Sequence, residues 1–207
     1  MKNYPHEYYH DLITQKSWEE LITLKKLADF VLIGGWAAYL YTRALKSKDI
    51  DIAINYDQLP ILSKSYRLNK NERLHKYEAV RDEIQIDIYL PHMSKIGIPI
   101  EDIISSSSSV EGFHIANINI LFASKLFTLS QRANTSKGRK DFLDLLSLFL
   151  SKYCEKNSIK NYIQKYKLEK STAYFINLLN ELSSIDELSL NKHNFKKVKN
   201  ELSKMLD

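Results

Sequence analysis

The first part of the chain switches between helical and strand-like spacing of its apolar residues. Residues 17–28, SWEELITLKKLA, open with a Ser-x-x-Glu pattern, which predicts a helix capped by Ser17 and Glu20. The next run, DFVLI, is short and apolar, and it predicts a buried strand that ends near Ile33. GWAAYLYTRAL follows without a helix breaker and predicts a second helix over 35–45. The pattern therefore predicts a strand, a glycine turn and a helix in direct succession.

Strict two-residue alternation then indicates further strands. In KDIDIAI, residues 48–54, the isoleucines occupy one face, and Asp49 and Asp51 share the other. A helix is predicted over 57–66, followed by strands in RLHKYEAV and EIQIDIYL. In the second of these strands Asp87 lies on the polar face with Gln85 and Tyr89. Asp87 therefore repeats the pattern of the two earlier aspartates.

The second half of the chain is predicted to be mostly helical. The serine run at 105–109 is interpreted as a flexible loop, and GFHIA as a weak strand. Two helices, in NINILFASKLFTLSQRA and RKDFLDLLSLFLSKY, are separated by a segment with Gly138 as breaker, and lysine-rich helices follow from 156. We therefore predict an α/β fold of the α+β kind, in which a small mixed sheet flanked by helices occupies 1–115 and a helical C-terminal domain occupies 116–207.

Composition narrows the class of protein without naming a function. Of the 207 residues, 44% are hydrophobic and 27% charged, which is typical of a globular chain that can bury a core. The net charge of +5 allows a polyanionic partner. The single cysteine, Cys154, excludes an internal disulfide and a cysteine-based zinc cluster. With no signal peptide or apolar span visible, we expect a cytoplasmic protein without a membrane partner.

The glycine pair at Gly34 and Gly35 has two interpretations. Adjacent glycines can simply turn the chain tightly between a strand and a helix. Glycine at a helix N-terminus also lets backbone N–H groups approach an anion, so the same pair can form a phosphate site. The chain contains neither G-x-G-x-x-G nor the Lys-Ser or Lys-Thr of a P-loop, so no established glycine motif decides between them.

The aspartates also have an ordinary and a chemical interpretation. Two carboxylates on one strand face are usually solvated, but Asp49 and Asp51 are also suited to hold a divalent metal jointly. Asp87, on a strand with the same alternation, is the natural third carboxylate of a two-metal cage. Three acids on one face would repel one another without a cation. Such a cage suits nucleotidyl transfer, in which metal ions activate a hydroxyl and neutralise triphosphate oxygens.

Two blocks of the sequence resemble the nucleotidyltransferase superfamily. IGGWAAYLYTRALKSKDIDIAI is similar to its signature, in which Gly-Gly or Gly-Ser opens a helix and Asp-x-Asp follows on the next strand. The closer resemblance is to the AbiEii-like branch of minimal nucleotidyltransferases, with its Ser-x-Asp-Ile-Asp, while GGWA is also similar to aminoglycoside adenylyltransferases. The second block, ASKLFTLSQRANTSKGRKDFLDLL, resembles an Ala-x-Lys-Leu helix followed by Arg-x-Lys-Asp-x-x-Asp-Leu. Together the blocks cover about residues 30–150.

The resemblance implies roles for the residues of the first block. Gly34 and Gly35 would hold the β- and γ-phosphates through backbone donors, with help from the Ser47 hydroxyl. Asp49 and Asp51 would bind two Mg²⁺ ions, for which Mn²⁺ would substitute. Asp87 would complete the metal site and act as the base for the incoming hydroxyl. Gly35 stands where many members have serine, so a side-chain phosphate ligand is missing.

The second block is implied to contact substrate. Lys125 would reach a phosphate, and Arg139 or Lys140 would assist the triphosphate or the acceptor. Asp141 and Asp144 would be orienting residues or helix-packing partners. In this assignment residues 1–115 form the catalytic core, and residues 116–207 complete the nucleotide or acceptor site.

The resemblance implies transfer of a nucleoside monophosphate from an NTP to an acceptor hydroxyl with release of pyrophosphate. It leaves the acceptor open between tRNA, protein and a small molecule. A toxin of a toxin–antitoxin or abortive-infection system, with a cognate antitoxin as partner, fits the branch. A non-catalytic nucleotide-binding module of the same fold and a metal nuclease remain alternatives, although three retained carboxylates argue against an inactive descendant.

Overall fold

The computed structural model describes residues 6–132 and 135–206 and divides into two compact units. The first unit comprises the chain up to Lys95 together with Pro99–Asn117. The second comprises Ile96–Ile98 and the chain from Ile118 onward. The division expected from the sequence, into a catalytic core over 1–115 and a completing domain over 116–207, stays a prediction.

A mixed seven-stranded sheet forms the centre of the first unit. In spatial order the strands are β3 (Asn69–Asn71), β4 (Lys76–Arg81), β5 (Ile84–Tyr89), β2 (Ile50–Ala53), β1 (Val31–Ile33), β7 (Phe113–Ile115) and β6 (Ser108–Val110). The β2–β5 and β1–β7 pairs are parallel, and the remaining pairs are antiparallel. The central strands are largely buried and rich in isoleucine, as expected for strands in the interior of a sheet.

A two-residue turn fixes the register of the β4–β5 hairpin. Asp82 and Glu83 both have positive φ angles, of 47° and 71°, and Arg81 pairs with Ile84 across the turn. Two positive φ angles in a two-residue loop form the turn whose twist matches that of the flanking strands. The register then follows along the hairpin, and it brings Glu78 opposite Asp87.

Four helices accompany the sheet among the described residues of this unit: α1 (His6–Leu27), α2 (Gly34–Thr42), α3 (Leu59–Ser63) and α4 (Ile100–Ser105). Most of α2 is buried, including Trp36, Ala37 and Ala38, because its sequence is apolar on nearly every side. The strand, glycine turn and helix predicted around residue 34 are confirmed.

The predicted helix start at Ser17 is wrong, because α1 already runs from His6. Ser17 is fully buried inside the helix, and its hydroxyl accepts a hydrogen bond of 2.9 Å from the Trp36 indole N–H. Glu20 accepts a hydrogen bond from the Tyr66 hydroxyl at 2.5 Å. Both residues resemble a capping box in sequence, yet they make tertiary contacts instead.

Other element boundaries also differ from expectation. The predicted helix over 57–66 is a 3-10 turn (Tyr56–Gln58) followed by the short α3. Part of the serine run is ordered into β6, and β3 had no counterpart in the prediction. Strand β2 begins at Ile50, so Asp49 lies immediately before the strand rather than on it. Gly138 lies inside the first turn of a helix, where its N–H donates to the Thr135 hydroxyl.

The second unit is helical among its described residues. Its helices are α5 (Ile118–Arg132), α6 (Ser136–Leu150), α7 (Lys156–Lys165), α8 (Glu169–Glu181) and α9 (Lys192–Leu206). The Phe175 ring packs against the rings of Phe122 and Phe142, with centroids 6.2 and 5.6 Å away. The predicted fold class, a mixed sheet followed by helices, is confirmed. Within the described ranges, no helix combines the length and apolar character needed to cross a bilayer.

Candidate functional site

Strand register places Asp51 directly beside Asp87. The two residues are partners in the parallel β2–β5 pair, and Asp87 is in turn the partner of Glu78 in the antiparallel β4–β5 pair. Residues paired across neighbouring strands project from the same face of a sheet. Three carboxylates, those of Glu78, Asp87 and Asp51, therefore lie next to one another across three adjacent strands. The sequence predicts the shared face of Asp51 and Asp87, but that prediction does not include Glu78.

Gly34 brings the start of α2 against Asp51. Ile33, the last residue of β1, pairs with Asp51, so the chain leaves the sheet beside that carboxylate. Gly34 has a φ of +65°, and a Cβ built on it would lie 2.1 Å from Asp51 Oδ2. Only glycine combines this backbone conformation with such a close approach. The first turn of α2 contains no acidic residue, and its N-cap Ile33 provides no side-chain acceptor. The glycine turn and Asp51 thus belong to one site.

Lys76 and Gln85 hold the Asp87 carboxylate. The Lys76 ammonium lies 2.5 Å from Asp87 Oδ2 and 3.0 Å from Glu78 Oε1. The Gln85 amide donates to Asp87 Oδ1 at 2.8 Å. Lys76 and Asp87 are only 6% and 8% exposed, so this ion pair is shielded from bulk water. Both oxygens of Asp87 are thereby fixed by neighbouring side chains.

The charges in this cluster perturb one another. Burial lowers the pKa of the Lys76 ammonium, but the hydrogen bonds and negative charges of Asp87 and Glu78 outweigh burial and leave that pKa above its usual value. The hydrogen bond from Lys76 lowers the pKa of Glu78. Lys76 is therefore a cation at neutral pH, in direct contact with two of the three carboxylates in the row.

Asp49 and Ser47 precede β2, next to Asp51. Asp49 and Asp51 are half-buried and Ser47 is buried, while the Tyr89 hydroxyl lies 3.4 Å from Asp51 Oδ1. In chemical type this oxygen-rich set suits Mg²⁺, which prefers carboxylate and hydroxyl ligands. Within 6–132 and 135–206, however, no three His, Cys, Asp or Glu side chains converge closely enough to hold a metal. The three-carboxylate metal site stays a prediction.

The second predicted block forms a buried ion cluster between α5 and α6. The Lys125 ammonium lies 2.7 Å from both Asp141 Oδ1 and Asp144 Oδ2. Arg132 donates to Asp141 Oδ2 at 2.9 Å, and the Lys140 ammonium lies 3.3 Å from Asp144 Oδ2. Lys125, Asp141 and Asp144 are each at most 7% exposed. Asp141 and Asp144 thus join the two helices through Lys125.

Burial and charge oppose each other in this cluster. Burial alone would lower the pKa of Lys125, but Asp144 and Asp141 raise it above its usual value. Burial alone would raise the pKa of Asp141, but Lys125 and Arg132 lower it. Burial lowers the pKa of Lys140, partly offset by Asp144. The Lys125–Asp141 pair is therefore ionised over the neutral range.

Arg139, the remaining cation of the second block, has a carboxylate partner on the surface. Its guanidinium Nη2 lies 2.9 Å from Glu187 Oε1. Lys125, Arg139 and Lys140 belong to the second unit, whereas the glycines, Ser47 and the three aspartates belong to the first. Their predicted contacts with phosphate or acceptor remain predictions.

The sequence does not predict that Lys76 and Glu78 lie beside Asp87. The strand that contains them was predicted, and two-residue alternation places them on the same face of that strand. Their proximity to Asp87 depends on the β4–β5 register, which the Asp82–Glu83 turn sets. Alternation in both strands of the hairpin indicates that Lys76 and Glu78 face Asp87 once the two-residue turn at Asp82–Glu83 is known.

Comparison with known proteins finds similarity at the level of structure. No protein-family model and no curated protein matches the chain in sequence. A candidate nucleotidyltransferase from H. pylori matches with a TM-score of 0.50 at 17% identity, over 94% of this chain and 92% of that one. JHP933 from Helicobacter pylori matches with a TM-score of 0.49 at 15% identity, over 99% and 92%. The Megavirus polyadenylate synthase matches with a TM-score of 0.45 at 15% identity, over 86% of this chain and 39% of the synthase.

The first of these likenesses spans nearly the whole of both chains. It agrees with the mixed sheet, in which a strand and a glycine turn lead into a helix beside two aspartate-bearing strands. The chain has a nucleotidyltransferase-type fold.

Proposed function

We propose that the protein is a Mg²⁺-dependent nucleotidyltransferase, which moves a nucleoside monophosphate from an NTP to an acceptor hydroxyl and releases pyrophosphate. The observation that carries the proposal is the contact between the Gly34 backbone and the Asp51 carboxylate, with Asp87 on the adjacent strand. A helix N-terminus favours phosphate, and a carboxylate beside it favours the metal that accompanies a triphosphate.

The substrate phosphates would lie at the start of α2. Gly34 and Gly35 would offer backbone N–H groups to the β- and γ-phosphates, with Ser47 as an additional donor. Asp49 and Asp51 would hold Mg²⁺, which neutralises phosphate and pyrophosphate oxygens when bound. Local geometry supports this placement of the phosphates and the metal. Asp51 lies against Gly34, and Asp49 comes two residues before Asp51 in the chain.

Asp87 has two possible roles, as a third metal ligand or as the base that accepts the proton of the attacking hydroxyl. Its place beside Asp51 is compatible with both roles. A base must lie within hydrogen-bonding reach of the proton that it accepts. Gln85 and Lys76 hold the Asp87 carboxylate in one orientation, which suits a group that receives a proton from a fixed direction.

The second unit is proposed to contribute cations to the triphosphate or acceptor. Lys140 and Arg139 are accessible enough for such contacts, since 34% and 40% of their side chains are exposed. Lys125 would act from its place between Asp141 and Asp144, which hold its ammonium in position. In this proposal residues 1–115 are the catalytic core and 116–207 complete the site.

RNA, and tRNA in particular, is the acceptor class that the charge distribution favours. Helices α7–α9 carry many exposed lysines, among them Lys160, Lys165, Lys170 and Lys196, and a lysine-rich surface attracts a phosphate backbone. A protein hydroxyl and a small molecule are the other acceptor classes. The resemblance to the AbiEii-like branch would make the protein a cytoplasmic toxin with a cognate antitoxin.

The test is transfer of labelled nucleotide. Purified protein is incubated with Mg²⁺, each α-labelled NTP in turn and a cell extract, and the label is then sought in tRNA, protein and small molecules. We expect one class to become labelled, with pyrophosphate released in step. Nucleic-acid cleavage without pyrophosphate would indicate a nuclease, and nucleotide binding without transfer would indicate a non-catalytic module.

A further inference from the structure

The Lys76 ammonium lies beside the row of carboxylates formed by Glu78, Asp87 and Asp51. In a metal cage built on these carboxylates, a metal ion would supply the positive charge there. Lys76 Nζ is 2.5 Å from Asp87 Oδ2 and 3.0 Å from Glu78 Oε1. The side chain of Lys76 is 8% exposed, compared with 44% for Lys70 on the neighbouring strand β3. A buried ammonium is costly unless carboxylates compensate it closely, so this arrangement depends on the two acids.

The fold fixes this contact rather than leaving it to a flexible surface side chain. The tight Asp82–Glu83 turn sets the hairpin register, which makes Glu78 the partner of Asp87. Lys76, two residues before Glu78, projects from the same face of β4. Gln85 occupies the other oxygen of Asp87 at 2.8 Å. Both oxygens of Asp87 are thus engaged by side chains of the same hairpin.

We infer that Lys76 is a positioning residue that holds the Asp87 carboxylate and supplies the positive charge that a second divalent ion would otherwise supply there. The inference rests on the proposed function and deepens it. The site then takes a single divalent ion, at Asp49 and Asp51. Asp87 is left as the proton acceptor, oriented by Lys76 and Gln85. A second divalent ion at Asp87 would be repelled by the ammonium in contact with it.

Counting bound manganese tests the inference. Mn²⁺ is titrated into metal-free full-length protein with a non-hydrolysable NTP analogue, and free Mn²⁺ is measured by electron paramagnetic resonance. One ion per chain is expected in the wild type. Asp87→Asn is expected to retain that ion, whereas Asp51→Asn loses it. Two ions in the wild type, or loss of the ion in Asp87→Asn, would overturn the inference and leave the proposed function standing. No bound ion would contradict the metal dependence of the proposed function itself.

Substitution of Lys76 gives a second readout. Lys76→Met is expected to bind two Mn²⁺ ions and to melt at a lower temperature in chelator, with part of that loss recovered by Mn²⁺. Lys76→Arg should bind one ion, and its melting temperature should stay close to that of the wild type. Lys70→Met is the matched control, because Lys70 pairs with the exposed Glu72, and it should change neither quantity. A Lys76→Met protein whose ion count stays at one would contradict the inference. If that variant does not fold, the Asp87→Asn count decides.

Discussion

At the scale of single residues, the contact between Gly34 and Asp51 explains why a glycine precedes the Asp-x-Asp pattern. Gly34 is required by its positive φ and by the Asp51 carboxylate, which fills the space where a side chain would begin. The turn interpretation and the phosphate interpretation of the pair are therefore compatible, because the turn is what places a helix N-terminus beside a carboxylate.

Gly34→Ala should destabilise the protein strongly. An L-residue at this φ costs about 1–2 kcal/mol, and the contact with Asp51 Oδ2 adds an overpacking cost of about 1–3 kcal/mol. Gly112→Ala is the matched control, because Gly112 has a similar φ of +74° and its Cβ would meet only the end of the flexible Lys25 side chain. Urea unfolding should show a larger loss for Gly34→Ala. Equal losses would mean that the Asp51 contact carries no cost.

The sequence could predict the shared face of Asp51 and Asp87, because strand alternation has a fixed period. It could not predict Lys76. A lysine on a predicted strand is usually solvated, and only the hairpin register shows that this one is buried against Asp87. Asp49 was placed on the strand because alternation continues through it, but hydrogen-bonded pairing starts one residue later.

At the scale of elements, α1 and α2 are joined by a polar contact inside an aromatic cluster. Trp36 donates to Ser17, and its ring lies 5.1 Å from that of Trp18. Local sequence rules interpreted Ser17 as a cap because Ser-x-x-Glu is a common helix start. In the folded chain the Ser17 hydroxyl instead accepts from Trp36, nineteen positions further along, because the buried indole N–H needs an acceptor.

Ser17→Ala should cost about 1–3 kcal/mol of unfolding free energy, because it leaves the Trp36 N–H buried without its acceptor. Ser63→Ala is the control, since that hydroxyl is exposed and bonds only to a backbone carbonyl. Its effect should stay within about 0.5 kcal/mol. Thermal or urea unfolding measures both. A Ser17→Ala loss no larger than that of the control would show that the hydrogen bond contributes nothing.

The α5–α6 ion cluster should give the protein an acid-sensitive component of stability. The pKa of Asp141 is lowered by Lys125 and Arg132, so its stabilisation is complete above the unfolded-state pKa, near 4. It is lost as the pH falls through the lower folded-state value. Asp141→Asn should therefore be less stable than wild type near pH 7, and the difference should shrink as the pH falls below about 4.

Urea unfolding between pH 2 and pH 7 measures this convergence, with Asp82→Asn as the control at an exposed turn. The control should differ little from wild type at either end of the range. If the gap between wild type and Asp141→Asn stays constant with pH, the ion pair is not the source of the stability.

At the scale of the whole molecule, the sequence predicted the order of sheet and helices because apolar periodicity is strong in both halves. The chain divides into two compact units, and the second includes Ile96–Ile98 as well as the helical part. The sequence could not show which carboxylates the cations of the second block contact in the folded chain. Lys125, Lys140 and Arg139 have the spacing of a substrate-binding block, yet each has a carboxylate partner in the folded chain.

The central claim is nucleotidyl transfer at Asp51 beside the glycine turn. The most direct measurement is release of pyrophosphate, together with transfer of label from an α-labelled NTP, by wild type, Asp51→Asn and the exposed control Asp82→Asn in Mg²⁺. We expect wild type and Asp82→Asn to transfer equally. Asp51→Asn should fall by at least about a hundredfold, because loss of one electrostatic contact in the transition state costs about 2.7–4 kcal/mol. Undiminished transfer by Asp51→Asn, or no NTP binding by the wild type, would contradict the account.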